Sequence, residues 1–378
     1  MNEVLFLRRF MRIAHLTSVH SRFDIRIYFK QCSSLANNGF KVSLVVADGK
    51  GDAVEGNVDI FDVGVSKGRL NRIFGATARV LNKAIEIDAD IYHFHDPELI
   101  PVGLKLKRRG KVVIFDAHED LPKQLLGKPY LNPILLRILS WTFSVYERYV
   151  CPKFDVVVTA TPFIRDKFLS IGCKSVDINN FPMIGELDAS VAWGDKRPEV
   201  CYVGGISSIR GVRELVAACS YLKTDAHLNL VGGVSEEGLD AEMRATTGWD
   251  RVNAIGVLGR DGVRDILGRS MAGLVTFYPL PNHVDAQPNK MFEYMSSGLP
   301  VIASNFPLWK KIIEGNKCGL CVDPLDPAAI AKAIDYIVSH PDEAKKMGEN
   351  GKRAVHEKYN WGVESEKLIS LYRSLCNK

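Results

Sequence analysis

Four short stretches carry residue types that could do chemistry at a useful spacing. The first is Tyr92-His93-Phe94-His95-Asp96-Pro97-Glu98-Leu99, which closes an apolar run and opens a helical pattern. Side chains alternate across a strand, so His93 and His95 share a face. Pro97 suits a first helical position and Asp96 suits the N-cap before it. Two imidazoles at the carboxyl end of a buried strand cost free energy unless they find partners. At least one is therefore expected to have a functional role, and His95 is the nearer to the rim. The second stretch is Asp116-Ala117-His118-Glu119-Asp120, after the next apolar run. Its single histidine and its spacing match no common zinc motif. It is either a polar rim that binds an acceptor, through His118 and Glu119, or a local turn network.

The third stretch is Gly204-Gly205-Ile206-Ser207-Ser208-Ile209-Arg210-Gly211, between a strand and a helix. Glycines let backbone amides approach a ligand, a helix N-terminus favours an anion, and Arg210 could pair with a phosphate oxygen. The fourth runs from Asp285 to Ala303, DAQPNKMFEYMSSGLPVIA. Pro288 can start a helix and Gly298 can end it, with Met291, Phe292 and Met295 on the apolar side. Asn289 and Glu293 lie one turn apart on one face. Lys290 sits in the first turn, where the helix dipole disfavours a cation, so it makes better sense serving an anionic ligand. Glu293 could accept hydrogen bonds from two ribose hydroxyls.

The elements that must position these residues alternate along the chain. Strand-like runs at Arg12–Leu16, Lys41–Val46, Asp90–Phe94, Lys111–Phe115 and Asp155–Thr159 are separated by helical patterns such as Arg26–Ala36, Leu70–Ile87 and Leu99–Arg108. Alternation of this kind predicts a parallel sheet covered by helices on both faces. The pattern lapses over Met183–Pro198, then restarts with Val200–Val203, Leu228–Val231, Val252–Ile255, Leu274–Phe277 and Val301–Ala303. The expected organisation is an N-terminal domain over 1–183, a linker over 184–198, a second domain over 199–360 and a closing helix over 361–378 that crosses back toward the first domain. Both domains are expected to be α/β, doubly wound and Rossmann-like, facing a central cleft. Ligands in such sheets bind beyond the carboxyl ends of the strands, where all four stretches fall.

Bulk properties narrow the class. A chain of 378 residues with 46% hydrophobic and 25% charged residues suits two ordinary globular domains. No apolar run approaches the length of a membrane span. The first ten residues look like an appendage without the order of a signal peptide, and Met11 is an alternative start. Eight scattered cysteines, with Cys318 and Cys321 the one close pair, fit buried thiols in a reduced compartment. A cytoplasmic location is expected. The net charge is +5, and Lys105, Lys107, Arg108, Arg109 and Lys111 form the densest basic cluster. That cluster is either a solvated helix end or a weak contact with anionic lipid at the inner membrane. Nothing in the sequence has the pattern of a nucleic-acid-binding motif.

The segments HFHDPEL, DAHED, YVGGISSIRG, PNKMFEYMSSGLPVIASNFPLW and the late YNW together resemble the retaining family-4 glycosyltransferases, of GT-B fold. The resemblance is strongest to the bacterial branch that builds O-antigen, capsule and other exopolysaccharides. It implies a sugar-nucleotide donor, UDP by family frequency, and a lipid-linked saccharide or glycan acceptor. It implies no cofactor and no metal. The family histidine near the reacting centre falls on His95. The family's G-R-L-x-x-x-K-G loop puts Arg210 at the lysine position, with Gly205 in place of the arginine. The family's E-x(7)-E pair falls on Asp285 and Glu293, with Glu293 on the ribose and Asp285, one methylene shorter, facing the donor sugar. Gly204, Gly205, Arg210 and Glu293 are then expected to bind the donor, and Lys290 or the backbone amides around Asn289 are expected, on chemical grounds outside the resemblance, to make up for the missing arginine. By analogy the loop after the first strand, with His20, Arg22, Asp24 and Arg26, faces the acceptor; its arginines either meet a lipid diphosphate or are solvated. Arg210, Lys290 and the amides of Gly204 and Gly205 would steady the leaving diphosphate without a metal. Two other readings stay open: a sugar-nucleotide epimerase of the same fold, and a non-catalytic nucleotide-sugar binder in a polysaccharide assembly complex.

Overall fold

The computed structural model describes residues 11–66, 68, 71–126, 132–188 and 191–376. The appendage Met1–Phe10, and Leu70 at the head of an expected helix, lie outside the described residues. The chain divides into two compact units, 1–180 with 364–378 and 181–363.

The first unit is an eight-stranded sheet. Its strands are β1 (Arg12–Leu16), β2 (Lys41–Val46), β3 (Ala53–Glu55), β4 (Val58–Asp62), β5 (Ile91–Phe94), β6 (Val112–Ala117), β7 (Val156–Thr159) and β8 (Ser175–Asp177), in the order β3-β4-β2-β1-β5-β6-β7-β8. All pairings are parallel except β3 with β4. That hairpin is short, and its turn holds Gly56 at φ 57°. Its two runs, AVE and VDIFD, are too short for a periodic pattern to stand out in the sequence. The chain moves from β1 outward to β2, then returns to the other side of β1 as β5. The order reverses there, so a crevice opens beyond the carboxyl ends of β1 and β5. Strand β5 is buried along its whole length, as a strand covered on both faces should be.

The helix expected at Arg26–Ala36 is present as a π-helical turn over Ile25–Cys32 that runs on as α-helix Ser33–Asn37. Asp24 caps it by accepting from the backbone amides of Arg26 and Ile27. The basic cluster ends the helix Ile100–Arg108, where cations complement the dipole. Lys107 pairs with Asp155 and Lys111 with Asp88, so these two charges are already answered by protein carboxylates.

The second unit is a six-stranded parallel sheet: β9 (Glu199–Val203), β10 (His227–Val231), β11 (Val252–Gly256), β12 (Ala272–Val275), β13 (Val301–Ser304) and β14 (Gly319–Val322). The order is β11-β10-β9-β12-β13-β14, with the reversal between β9 and β12. One apolar layer lies on each face of the sheet, one built around Tyr202 and Leu274, the other around Met291 and Trp309. The segment expected as a free linker, 184–198, is anchored to this unit. Leu187 is buried in its core, and Lys196 Nζ donates to the carbonyls of Gly268 and Ser270. The closing helix is Trp361–Cys376, and its residues from Glu364 onward belong to the first unit. Glu364 there accepts from the backbone amide of Asn179 at 2.8 Å. No helix among the described residues is long and apolar enough to cross a membrane.

Candidate active site

At the carboxyl edge of the first sheet the structure gathers more histidines than the motifs suggested. Parallel register places His15 of β1 beside His93 of β5. The rings of His93 and His95 stack at 4.8 Å, and those of His15 and His95 at 5.2 Å. Asp116, at the end of β6, is the hub. Its carboxylate accepts from Arg26 Nε and Nη2 at 3.0 and 2.7 Å and from Gln31 Nε2 at 2.8 Å. His95 Nδ1 and His118 Nε2 lie 3.2 and 3.3 Å from the same oxygen. His15 Nδ1 is 2.9 Å from His95 Nε2, and the Tyr372 hydroxyl lies 2.7 Å from His93 Nδ1 and 3.3 Å from His15 Nε2.

One assignment of protons satisfies this chain. His95 donates from Nδ1 to Asp116, His15 donates from Nδ1 to His95 Nε2, and Tyr372 donates to His15 Nε2 while accepting from His93. Every imidazole in it is neutral. The electrostatics agree. Burial pushes His15 and His93 well below the ordinary histidine value, and takes His95 down to about 3. Burial alone would raise the Asp116 carboxyl, but the Arg26 guanidinium and the hydrogen bonds of His118 and His95 hold it well below the usual carboxylate range.

This network corrects several expectations. His95 is 2% exposed with both ring nitrogens engaged, so it is not a rim residue. The rim is formed by His118 and His20, whose rings are 5.1 Å apart. Asp96 stands at the N-cap position but makes no capping hydrogen bond with its side chain. It accepts instead from the Thr17 and Ser18 hydroxyls and the Ser18 amide, because those donors at the end of β1 lie beside it. Arg26 is buried against Asp116 and the Ile178 carbonyl, and is not available to an acceptor. Arg22 is likewise buried, held by Asp48 and the Gly51 carbonyl. Glu119 is exposed and turned toward Gln124, outside the histidine cluster. His20 stays with the site: its hydrogen bond to Asp24, with Asp96 nearby, raises its pKa against the effect of burial. His15 could have been found by counting alternate positions from the β1 pattern, whereas Tyr372, some 280 residues from His93, has no local signal.

His15, His93 and His95, and again His95, Asp116 and His118, offer ligand atoms within 4.8 Å of one another. A cation at the second group would have to disturb the Arg26–Asp116 pair, and one at the first would break the His15–His95 hydrogen bond. The donor set fits a hydrogen-bonded frame better than a metal centre.

The second unit builds a different kind of site beyond β9 and β12. Gly204 follows β9 at φ 126°, and a Cβ there would sit 3.1 Å from Lys290 Nζ. Gly211 has φ 71°, and a Cβ there would strike the Thr276 carbonyl. The stretch between them is a single 3-10 turn, Ser208–Arg210, and the helix after it, Val212–Ala218, is only seven residues long. Its dipole is therefore a smaller resource for an anion than the sequence suggested. Arg210 folds back, donating from Nη1 to the Gly205 carbonyl at 2.9 Å with its guanidinium over the Phe277 ring.

The helix Asn289–Ser296 starts one residue after Pro288 and ends before Gly298, whose φ is 72°. Asn289 is exposed at its first turn. Lys290 beside it is 8% exposed, and its Nζ lies 3.5 Å above the Tyr202 ring with no hydrogen-bond partner in the protein. Burial, and then the nearby Arg210, push its pKa well below the usual lysine range. Thr276 Oγ1 and Gln287 Oε1 are also buried without partners in the neighbouring loops. Glu293, one turn on, accepts from Arg260 Nη1 at 2.9 Å, and Arg260 also holds Glu186. No local signal in the sequence marks Arg260, which opens the amphipathic helix Arg260–Arg269. Asp285 lies half-buried in the turn that leads into the Asn289–Ser296 helix.

Known proteins match this architecture. Residues 26–180 fit the family described as Glycosyltransferase Family 4, and residues 184–354 fit Glycosyl transferases group 1. Sucrose-phosphate synthase from Thermosynechococcus elongatus superposes with a TM-score of 0.77 at 18% identity, covering 97% of this chain and 99% of that one. Anabaena HepE in complex with UDP-glucose gives 0.73 at 14% identity, covering 96% and 100%. Among curated proteins, alpha-D-kanosaminyltransferase of Streptomyces kanamyceticus is 25% identical over 48% of this chain and 47% of its own length. Sucrose synthase of Denitrovibrio acetiphilus is 29% identical over 93% of this chain and 49% of its own length. The chain thus spans about half the length of the curated relatives it matches. Two glycosyltransferase family matches in tandem over most of the chain, each on its own Rossmann-like unit, identify it: the chain belongs to glycosyltransferase family 4, of GT-B fold.

Proposed function

We propose that the chain transfers a glycosyl group from a nucleoside-diphosphate sugar, UDP-linked in the first instance, to a hydroxyl of a lipid-linked or glycan acceptor during assembly of a cell-surface polysaccharide. The observation that carries this reading is Lys290, an amine buried beside Gly204 with no hydrogen-bond partner in the protein. Charging this amine without a partner is costly, and a diphosphate would supply the counter-charge. Arg210, at the same loop, can swing from the Gly205 carbonyl to a phosphate oxygen. Glu293, held in place by Arg260, can receive the two ribose hydroxyls. Asp285 is assigned to the donor sugar. The UDP-glucose complex of HepE supports a UDP donor.

In the reaction the bond from the anomeric carbon to the diphosphate oxygen breaks, and its electron pair leaves with the diphosphate. The acceptor oxygen forms the new bond on the same face, so configuration is retained. A diphosphate oxygen takes the acceptor proton. Lys290, Arg210 and the amides of Gly204 and Gly205 offset the charge that develops on the leaving group, which is electrostatic catalysis without a metal. His118 and His20 face the acceptor, and the buried frame of His15, His95 and Asp116 holds His118 in orientation.

A thermal-shift panel of UDP, GDP, ADP, dTDP and their common sugar conjugates, run in EDTA, tests the reading. Stabilisation by one nucleotide family, followed by transfer from its sugar conjugate to a lipid-linked acceptor, is the expected result. Stabilisation by none of them, or turnover that requires added Mg²⁺ or Mn²⁺, would overturn the donor site or its metal-free chemistry.

A further inference from the structure

The helix Pro133–Val150 in the first unit is apolar on two opposite sides. One side packs inward through Leu136, Phe143 and Val150. The other faces solvent: Ile134, Ile138, Trp141, Val145 and Tyr149 are 68, 54, 69, 48 and 70% exposed. These five recur at intervals of three and four residues and so form one continuous stripe. A stripe of this size on a single helix is far from the scattered apolar residues of an ordinary surface.

The charged residues that this helix turns to solvent have one sign. Arg137 and Arg148 are exposed and lie on the same flank of it, three turns apart. Lys153 follows in the next turn, with its Nζ 3.7 Å above the Tyr149 ring. The helix has a single acid, Glu147, which is buried on the inward side and bonded to Lys167. No carboxylate of the helix therefore shares the solvent face. Aliphatic residues and a tryptophan in the middle, with cations alone at the edge, match the chemistry of an anionic bilayer surface: acyl chains below, phosphates above.

We propose that this helix lies in the headgroup region of an anionic membrane, with Ile134, Ile138, Trp141 and Val145 inserted and Arg137, Arg148 and Lys153 on the phosphates. The membrane contact is thus assigned to this helix and not to the Lys105–Lys111 cluster, two of whose members are tied to Asp155 and Asp88. A glycosyltransferase so anchored would meet a lipid-linked acceptor in the plane of the bilayer. The surface itself does not depend on the donor assignment.

Co-sedimentation of the full chain tests it, with vesicles of phosphatidylethanolamine and phosphatidylglycerol against vesicles of phosphatidylcholine. The wild type should bind the anionic vesicles preferentially. Arg137→Glu with Arg148→Glu, and separately Ile138→Asp with Trp141→Ala, should each weaken binding by about tenfold or more. Their melting temperatures and their response to UDP should match the wild type, because these side chains are exposed and distant in sequence from the donor loops. Failure of the wild type to bind either vesicle, or equal binding by all the variants, overturns the proposal. So does self-association that the Ile138→Asp, Trp141→Ala variant abolishes without any vesicle binding, which would assign the stripe to a second copy. A lost UDP response with vesicle binding intact would instead count against the donor site alone.

Discussion

The two candidate sites use buried charge in opposite ways. Around Asp116 the first unit closes its own account: Arg26, Gln31, His95 and His118 all lie at hydrogen-bonding distance from one carboxylate, and His15 and Tyr372 complete the chain. Around Lys290 the second unit leaves a buried amine over a tyrosine ring with no hydrogen-bond partner. A densely bonded network rigidifies what it holds, even with His93 Nε2 and Gln31 Oε1 left without partners, whereas a buried amine with no hydrogen-bond partner stands to gain from a ligand of opposite charge. The first site is therefore a frame for the groups at its rim. The second, on the proposed reading, receives the donor diphosphate.

This contrast predicts effects of opposite sign on stability. Asp116→Asn keeps the shape but leaves the Arg26 guanidinium buried without its counter-charge. Denaturant unfolding should register a loss of about 3–5 kcal/mol; a loss under about 1 kcal/mol would mean the network is not the frame described.

The titration of the frame gives the next largest effect. His15, His93 and His95 have folded pKa values below the ordinary 6.5, so below that pH the unfolded chain binds more protons. Stability is then full above about pH 6.5 and falls as the pH drops toward the folded values, by up to about 1.4 kcal/mol per pH unit for each histidine. His20 works the other way. Its folded pKa is raised, so its contribution is present below 6.5 and lost as pH rises through the folded value. The three buried imidazoles together should contribute a slope of about two to three protons between about pH 6 and pH 5, read from urea midpoints, with His283 adding to it and Glu147 opposing it. A flat profile would show these imidazoles to be charged in the fold.

Lys290→Met sharpens the comparison from the other side. It should leave the ligand-free protein as stable as before or more so, while weakening UDP binding by about 1.5–3 kcal/mol in calorimetry. Destabilisation on the scale of Asp116→Asn would make Lys290 part of a frame as well. The smallest effect is expected at Arg260, which is partly exposed. Arg260→Ala should cost less than about 1 kcal/mol of stability. It should also raise KM for the donor by loosening Glu293, and an unchanged KM would free Glu293 from that support.

Much of this was legible in the sequence, and for a local reason in each case. The period of two in HFH put His93 and His95 on one face, and the strand–helix alternation gave two doubly wound units. Pro288 and Gly298 bracketed the helix that carries Lys290 and Glu293, and the dipole argument marked Lys290 as the cation out of place. Cycles of strand, turn and helix are written in neighbouring residues, so sequence alone determined them. What the tertiary structure decided was partnership. Whether Arg26 meets solvent or Asp116, whether His95 reaches the rim or is sealed between His15 and Asp116, and whether Tyr372 enters the site at all depend on residues brought together across the sheet from tens to hundreds of positions away. The same holds for the Pro133–Val150 helix, whose apolar residues encode two stripes and not which of them the fold would bury. Burial is a property of the packed chain, and the free energy of a polar or charged side chain follows burial and partner far more than residue type.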